Sequence, residues 1–217
     1  MKLNREEFQK YIYSYNEDEI FYKTLYLQEK EHPETFHDYC LTLDRKQIYE
    51  HRLYVPELQT EAWYPYMKET DLFHDINGNI VLSKHYRYTP VFPHEHEFFE
   101  ILCMYDGTAH TAIQGIEHTL HTGDICIIPP HTTHSVGIFD DSVAFNILVR
   151  GSTFQSTFFQ SLTADSALTQ FFAHVLYRKT EGNYLIFHSG NDVQIHDMLE
   201  NLYIEYLGHA KYSCTFL

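Results

Sequence analysis

The sequence predicts a mainly β fold: a jelly-roll barrel of short antiparallel strands, preceded by a helical extension and followed by helices. Three observations carry this. Between residues 79 and 150, short apolar runs with the two-residue period of strands are separated by turn signals. Before 79 and after 150 the apolar spacing lengthens to that of helices. Aromatic residues make up 16% of the chain, which suits strands and aromatic-lined pockets. The chain therefore divides into an extension (1–78), a barrel (79–150) and a C-terminal helical segment (151–217).

Asn4 ahead of Arg5-Glu6-Glu7 reads as a helix cap with acids in the first turn, and Phe8, Tyr11, Ile12 and Tyr15 follow at helical spacing. Asn16-Glu17-Asp18-Glu19 opens a second short helix through Leu27. Pro33 and Pro56 punctuate the remainder, expected to form a layer on the barrel or against a dimer partner. Asp75-Ile76-Asn77-Gly78 is a turn, with Asn-Gly its strongest part. Strands are expected at 80–88, 97–105, 108–113, 116–121, 124–128, 135–139 and 143–149. Gln114-Gly115 closes a hairpin and Pro129-Pro130 stops the fifth strand.

Beyond Gly151, Phe154, Phe158, Phe159 and Leu162 have helical spacing, and 166–177 is a second helical stretch. Residues 184–187 read as a short strand or an extended link. Asn191 or Asp192 caps a last helix whose stripe, Ile195, Leu199, Leu202 and Tyr206, is close to a coiled-coil seam. That stripe either packs on the chain's own barrel or pairs subunits.

The net charge of −15 repels phosphate backbones, so the chain is not expected to bind nucleic acid by itself. Its start has no apolar run of the secretory kind, and no stretch has the length and apolarity of a membrane span. Cys40, Cys103, Cys126 and Cys214 lack C-x-x-C spacing and read as reduced, buried thiols, which points to a cytoplasmic location. Neither a nucleophile constellation nor a glycine-rich phosphate loop is visible.

The chemistry lies in two blocks, His94-x-His96-x3-Glu100 with Gly107 beyond, and Gly123-x5-Pro129-x-His131-x2-His134. Strand alternation puts His94, His96 and Glu100 on one side of the backbone. With His134 they can meet around one divalent ion (Zn, Ni, Fe, Mn or Co), leaving an open position of the kind that separates a working or sensing site from a closed structural one. Without an ion, Glu100 needs another partner, because an unpaired buried carboxylate is costly. The same parity turns Phe98, Leu102 and Met104 inward, with Val136 and Ile138 beyond His134. Tyr86 and Tyr88 are expected at the rim or wall. His110 faces the interior if it follows Ala112, and His85 reaches a pocket only if the odd face of its strand points in. His131 is either an extra ligand, an acid–base group or a solvated loop residue.

The pair of blocks resembles the cupin superfamily, and the stretches Phe92-Pro93-His94-Glu95-His96-Glu97-Phe98-Phe99-Glu100-Ile101 and Gly123-Asp124-Ile125-Cys126-Ile127-Ile128-Pro129-Pro130 are most similar to the effector-binding domain of AraC-type transcription regulators. All four metal-ligand positions are kept. Tyr88 stands at the first expected glycine, His131 at the second-motif glycine and Ile138 at the asparagine. The resemblance covers 79–150 well, 151–217 more loosely, and not the first 75 or so residues. It implies a cupin double-stranded β-helix that senses a small polar effector such as a sugar, directly or through the metal, without being an enzyme. It also implies homodimerisation through the last helix, and DNA contact through a C-terminal helix-turn-helix part. No recognition helix is visible here, and a chain cut before that part is the expectation. The runner-up is a metal-dependent cupin enzyme, an isomerase or a dioxygenase. A structural or storage cupin is a third class.

Overall fold

The computed structural model describes residues 4–51, 66–73, 78–154, 184–190 and 192–210. Helices α1 (Arg5–Tyr13) and α2 (Glu17–Glu31) each start on a reciprocal capping box, Asn4 with Glu7 and Asn16 with Glu19. Helix α3 (Pro33–Thr42) begins on the proline, whose missing N–H costs nothing at a first turn, and α4 (Arg45–Glu50) follows. Strand β1 (Tyr66–Met67) and the short α5 (Glu69–Leu72) precede the barrel strands: β2 (Ile80–Lys84), β3 (Glu95–His96), β4 (Phe99–Asp106), β5 (Thr108–Ile113), β6 (Ile116–His121), β7 (Asp124–Ile128), β8 (His134–Gly137) and β9 (Val143–Val149). A single turn, α6 (Gly151–Thr153), then β10 (Leu185–His188) and α7 (Val193–Ala210) complete the described elements. Pro56, most of the 75–78 turn, the helical stretches expected over 158–162 and 166–177, and Cys214 lie outside the described residues.

The strands form a sandwich. One sheet runs β10-β7-β4-β9-β2 and the facing one β6-β5-β8, while β1 pairs with β3 in parallel. Between the two main sheets sit Leu102, Met104, Cys126, Ile128 and Ala144 from the larger, and Ala109, Ile113, Leu120 and Val136 from the smaller, with Ile138 beside them. The outer face of the five-stranded sheet is covered as well. Phe8 and Ile12 of α1 and Tyr203 of α7 pack on Cys103, Tyr105, Val143 and Phe145. Burial on both faces explains why β4 and β9 read as near-continuous apolar runs rather than alternating ones. The β5–β6 hairpin has the residues expected of it. Gln114 (φ 52°) and Gly115 (φ 78°) both take positive φ, as the favoured two-residue hairpin turn requires.

Three differences from the sequence reading have physical causes. Strand β2 stops at Lys84 instead of continuing to 88, because Arg87 turns to the N-terminal helices, where its guanidinium meets Glu19 of α2. The strand carrying Glu100 begins at Phe99 rather than 97, after a bend at 97–98. In α7, Leu199, Tyr203, Ile204, Tyr206 and Leu207 pack on the chain's own sheet, while Met198 and Leu202 stay 70% and 46% exposed. The seam expected over Ile195, Leu199, Leu202 and Tyr206 is thus divided between two faces. Glu200, buried on α7, accepts hydrogen bonds from the Tyr105 hydroxyl and from Gln9, and pairs with Arg5 of α1. The C-terminal helix is thereby bound to both the barrel and the first helix.

Gly123 is fixed by geometry. Its φ is +88°, its N–H donates to Met104 O, and a Cβ there would lie 1.7 Å from Gly190 O, a backbone atom. Gly123→Ala is expected to cost more than the roughly 1–2 kcal/mol of a left-handed alanine alone, since a backbone must also move. A urea-unfolding midpoint checks this. Cys40, Cys103 and Cys126 are buried, and Cys103 and Cys126 are free thiols. No described helix is long and apolar enough to cross a membrane.

Candidate metal and ligand site

At one end of the sandwich, residues 94–96 pair with the start of β8 and the loop before it. His94 and His134 face each other as an antiparallel bridge, each N–H donating to the other's carbonyl at 2.8 and 2.9 Å. The His131 N–H donates to His96 O at 2.8 Å. These backbone bonds bring the two sequence blocks together and set the His94 and His134 rings 4.2 Å apart. Glu100, at the start of β4, reaches the same point. Its Oε2 lies 3.1 Å from His96 Nε2 and 3.3 Å from His134 Nε2. His94, Glu100 and His134 each offer one ligand atom, all within 4.8 Å of one another. His96 adjoins this trio through Glu100, with its ring stacked on Phe98 at 4.3 Å. The ligand residues do not lie on one continuous strand, as alternation alone suggested. The bend at 97–98 separates His96 from Glu100 but keeps them on the same side.

The donor set suits a divalent ion. His134 Nδ1 lies 2.9 Å from Thr132 O and His94 Nδ1 3.2 Å from Phe92 O. An Nδ1–H given to a backbone carbonyl leaves Nε2 as the metal-facing atom, the usual outer support of a ligating histidine. His94, Glu100 and His134 would hold the ion, with His96 beside them. A bound ion would polarise an oxygen of a small molecule at its open position.

Electrostatics describe the site without an ion. Burial alone would raise Glu100, but hydrogen bonds from His134 and His96 hold it well below the usual carboxylate range. Burial would lower His134, yet Glu100 raises it above its ordinary value. Burial pushes His94 down to about 4 and also lowers His96. Glu100 thus favours the charged form of His134, while burial favours the uncharged forms of His94 and His96, in line with the rule that a buried charge needs a partner.

The remaining residues singled out from sequence fall in different surroundings. Phe98 is buried with Phe73 and Leu148 and roofs His96. Met104 lies in the core between the sheets. Tyr86 is 39% exposed, whereas Tyr88 is buried in a cluster with Tyr22, Leu25, Cys40 and Ile48, under the N-terminal helices. His110 is exposed. Ala109 and Ile113 of the same strand take the inward positions, so the parity with Ala112 carries His110 outward. His85 does face inward, on the odd face of its strand, where Nδ1 lies 3.3 Å from Asn146 Nδ2. Asn146 was not found from sequence, because one polar residue in an apolar run gives no spacing signal. Residues 66–73 were missed because a two-residue strand and a single helical turn are too short to show a period. Tyr66 stacks on His131, Phe73 meets Phe98 edge-on, and Arg150 donates to Phe73 O, so this strap covers the cluster's end of the barrel.

Residues 78–202, more than half of the chain, match the family of the AraC-like ligand binding domain. The chain belongs to that family. In this AraC-like domain, Tyr88 (φ 61°) and His131 (φ 60°), which stand where glycine was expected, take left-handed backbone at a cost of about 1–2 kcal/mol each. Tyr88 is compensated by its aromatic cluster and His131 by Tyr66. Among solved structures the domain is similar to KdgF from Halomonas sp. (23% identity, TM-score 0.30, 33% of this chain and 69% of that one). It is also similar to a cupin from Bacteroides fragilis (21%, TM-score 0.30, 35% and 70%) and to an RmlC-like cupin from Shewanella frigidimarina (18%, TM-score 0.32, 35% and 70%). No curated protein matches the chain significantly.

Proposed function

We propose that this domain is the effector-sensing part of an AraC-type transcription regulator. A small polar effector, such as a sugar, enters the barrel and meets the His94/His96/Glu100/His134 cluster, directly or through one divalent ion (Zn, Ni, Fe or Mn). The observation that carries this reading is a largely buried His–Glu cluster at one end of the apolar barrel of a chain from a ligand-binding family. The role is regulatory rather than catalytic. The protein acts as a homodimer in the cytoplasm, with the exposed Met198 and Leu202 of α7 as the pairing face. A chain of net charge −15 meets DNA only through separate, basic helix-turn-helix modules. The three-part organisation (1–78, 79–150, 151–217) gives the sensing barrel a helical layer on the outer face of its larger sheet. Glu100 on the inner side of β4 and Tyr105 on its outer side, bonded to Glu200 of α7, offer a short route from ligand to helix. The effector shifts α7 only through different affinity for two arrangements.

The reading is checked by a thermal-shift screen of small polar organic compounds, with and without each ion. Stabilisation that disappears in E100Q supports it. Chemical conversion of a bound compound, seen by NMR, overturns it in favour of a cupin enzyme. Metal binding should also release protons. The ion competes with the proton that Glu100 favours on His134, so proton release that grows as pH falls is expected. Affinity should rise with pH until His134 is deprotonated in the free protein, then level off. Calorimetry in buffers of different ionisation enthalpy measures this.

A further inference from the structure

Beyond the cluster, the inner face of the large sheet carries a second polar group. Ser83, Asn146, Leu102 and Cys126 form one cross-strand row, and Glu100 pairs with Leu148 in the adjacent row. Asn146 is thus a diagonal neighbour of Glu100, at a spacing of about 7–8 Å. His85 lies against Asn146, with its backbone N–H on Ala144 O. Two atoms here are shielded from solvent and lack a hydrogen-bond partner among the described residues: His85 Nε2 and Asn146 Oδ1. Two such atoms side by side carry a desolvation cost unless something pairs them.

Resting on the sensing role argued above, we propose that His85 and Asn146 are a recognition subsite for an uncharged, hydroxyl-bearing end of the effector, next to the His94–Glu100–His134 cluster. The chemistry follows from counting protons. Burial keeps the His85 ring uncharged at neutral pH. If the Asn146 amide N–H donates to Nδ1, the imidazole proton is on Nε2, and the pair presents one donor (Nε2–H) and one acceptor (Oδ1). If the amide is turned over, Nδ1–H donates to the amide oxygen, Nε2 becomes the acceptor and the amide N–H the donor. Either way the subsite offers one of each. A carboxylate can only accept and an ammonium can only donate, so neither satisfies both atoms. A hydroxyl gives one hydrogen bond and takes one. The effector this describes is a sugar, polyol or hydroxy acid, with an oxygen at the cluster and a hydroxyl a few ångströms further in.

The test is calorimetric titration of the zinc-loaded domain with glucose, xylose, sorbitol, glycerate and gluconate, alongside acetate, propionate and glucosamine. At least one hydroxylated, non-amine compound should bind. Its affinity should fall roughly tenfold or more in both H85F and N146L, the size expected when a buried hydrogen bond is lost. A deoxy analogue of the hit should lose as much in the wild type and nothing further in the variants. His85→Gln, which keeps a donor and an acceptor, should restore most of the binding, and zinc stoichiometry near one per chain shows that each variant is folded. Equal affinity for the hit in the wild type, H85F and N146L overturns the subsite while leaving sensing at the cluster intact. So does binding of acetate or propionate in place of every hydroxylated compound. If no compound binds the wild type, the sensing role fails together with the subsite.

Discussion

Glu100→Gln is expected to abolish metal binding while leaving the barrel folded. The substitution keeps the size of the side chain and removes the one anionic ligand, whose Oε2 faces both His96 and His134. Loss of a mere outer-shell partner costs about 10–100-fold in metal affinity, so loss of this ligand should exceed roughly 100-fold. Elemental analysis should find ion near one per chain in the wild type and none in the variant. Retention of the ion by E100Q would place the metal elsewhere. The change should also reduce the proton release, since against the lowering by burial Glu100 is the main group that raises His134 above its ordinary value. The pH dependence of the metal-free protein has a definite sign. His94 falls from 6.5 to about 4 on folding, so between those values the unfolded chain binds more protons and stability falls as pH drops. The His134 contribution is the reverse. It is present below the ordinary histidine value and lost as pH rises through the raised one.

Glu19→Ala should produce the largest loss of stability among single changes outside the cluster, about 3–5 kcal/mol. Glu19 is fully buried and has three tasks. It closes the capping box of α2 on Asn16, accepts from Lys84 Nζ at 2.7 Å, and accepts from Arg87 Nε at 2.8 Å and Nη2 at 3.1 Å. Its removal leaves two cations buried at 8% and 1% exposure, with the carbonyls of Tyr13 and Ser14 as their remaining hydrogen-bond acceptors among the described residues. Denaturant unfolding measures the loss. A change below 1 kcal/mol would mean that the N-terminal helices do not depend on this anchor. Burial alone would raise the Glu19 carboxyl, but Arg87 and Lys84 hold it below its ordinary value. Its contribution is therefore complete above the ordinary carboxylate value and lost as pH falls through the lower, folded one.

Much of this architecture was legible from residue order. The β5–β6 hairpin follows from Gln114-Gly115 between alternating runs, and the α1 and α2 starts follow from Asn4 and Asn16 with Glu three residues on. The candidate trio could be proposed from residue order because His94 and Glu100 stand in one short block and His134 in a second, Pro129-x-His131-x2-His134. His110 was not, because β5, Thr-Ala-His-Thr-Ala-Ile, has small or apolar residues on both faces and its pattern does not choose one. Glu19 reads as an ordinary first-turn acid, and nothing nearby in the sequence announces Lys84 and Arg87 as its partners.

By itself, the order of residues determined what depends on near neighbours: strand and helix periods, caps, turns, and which side chains can bind an ion. The folded chain alone decided what depends on distant segments meeting. It set His94 opposite His134, bent the backbone between His96 and Glu100, and turned His85 inward and His110 outward. It also chose the face of α7 that packs on the sheet. The reason is that a strand has two faces and a helix several, and local sequence marks their period without always marking which one is buried. That choice is made by the apolar surface brought against them and by the partners available to buried polar atoms.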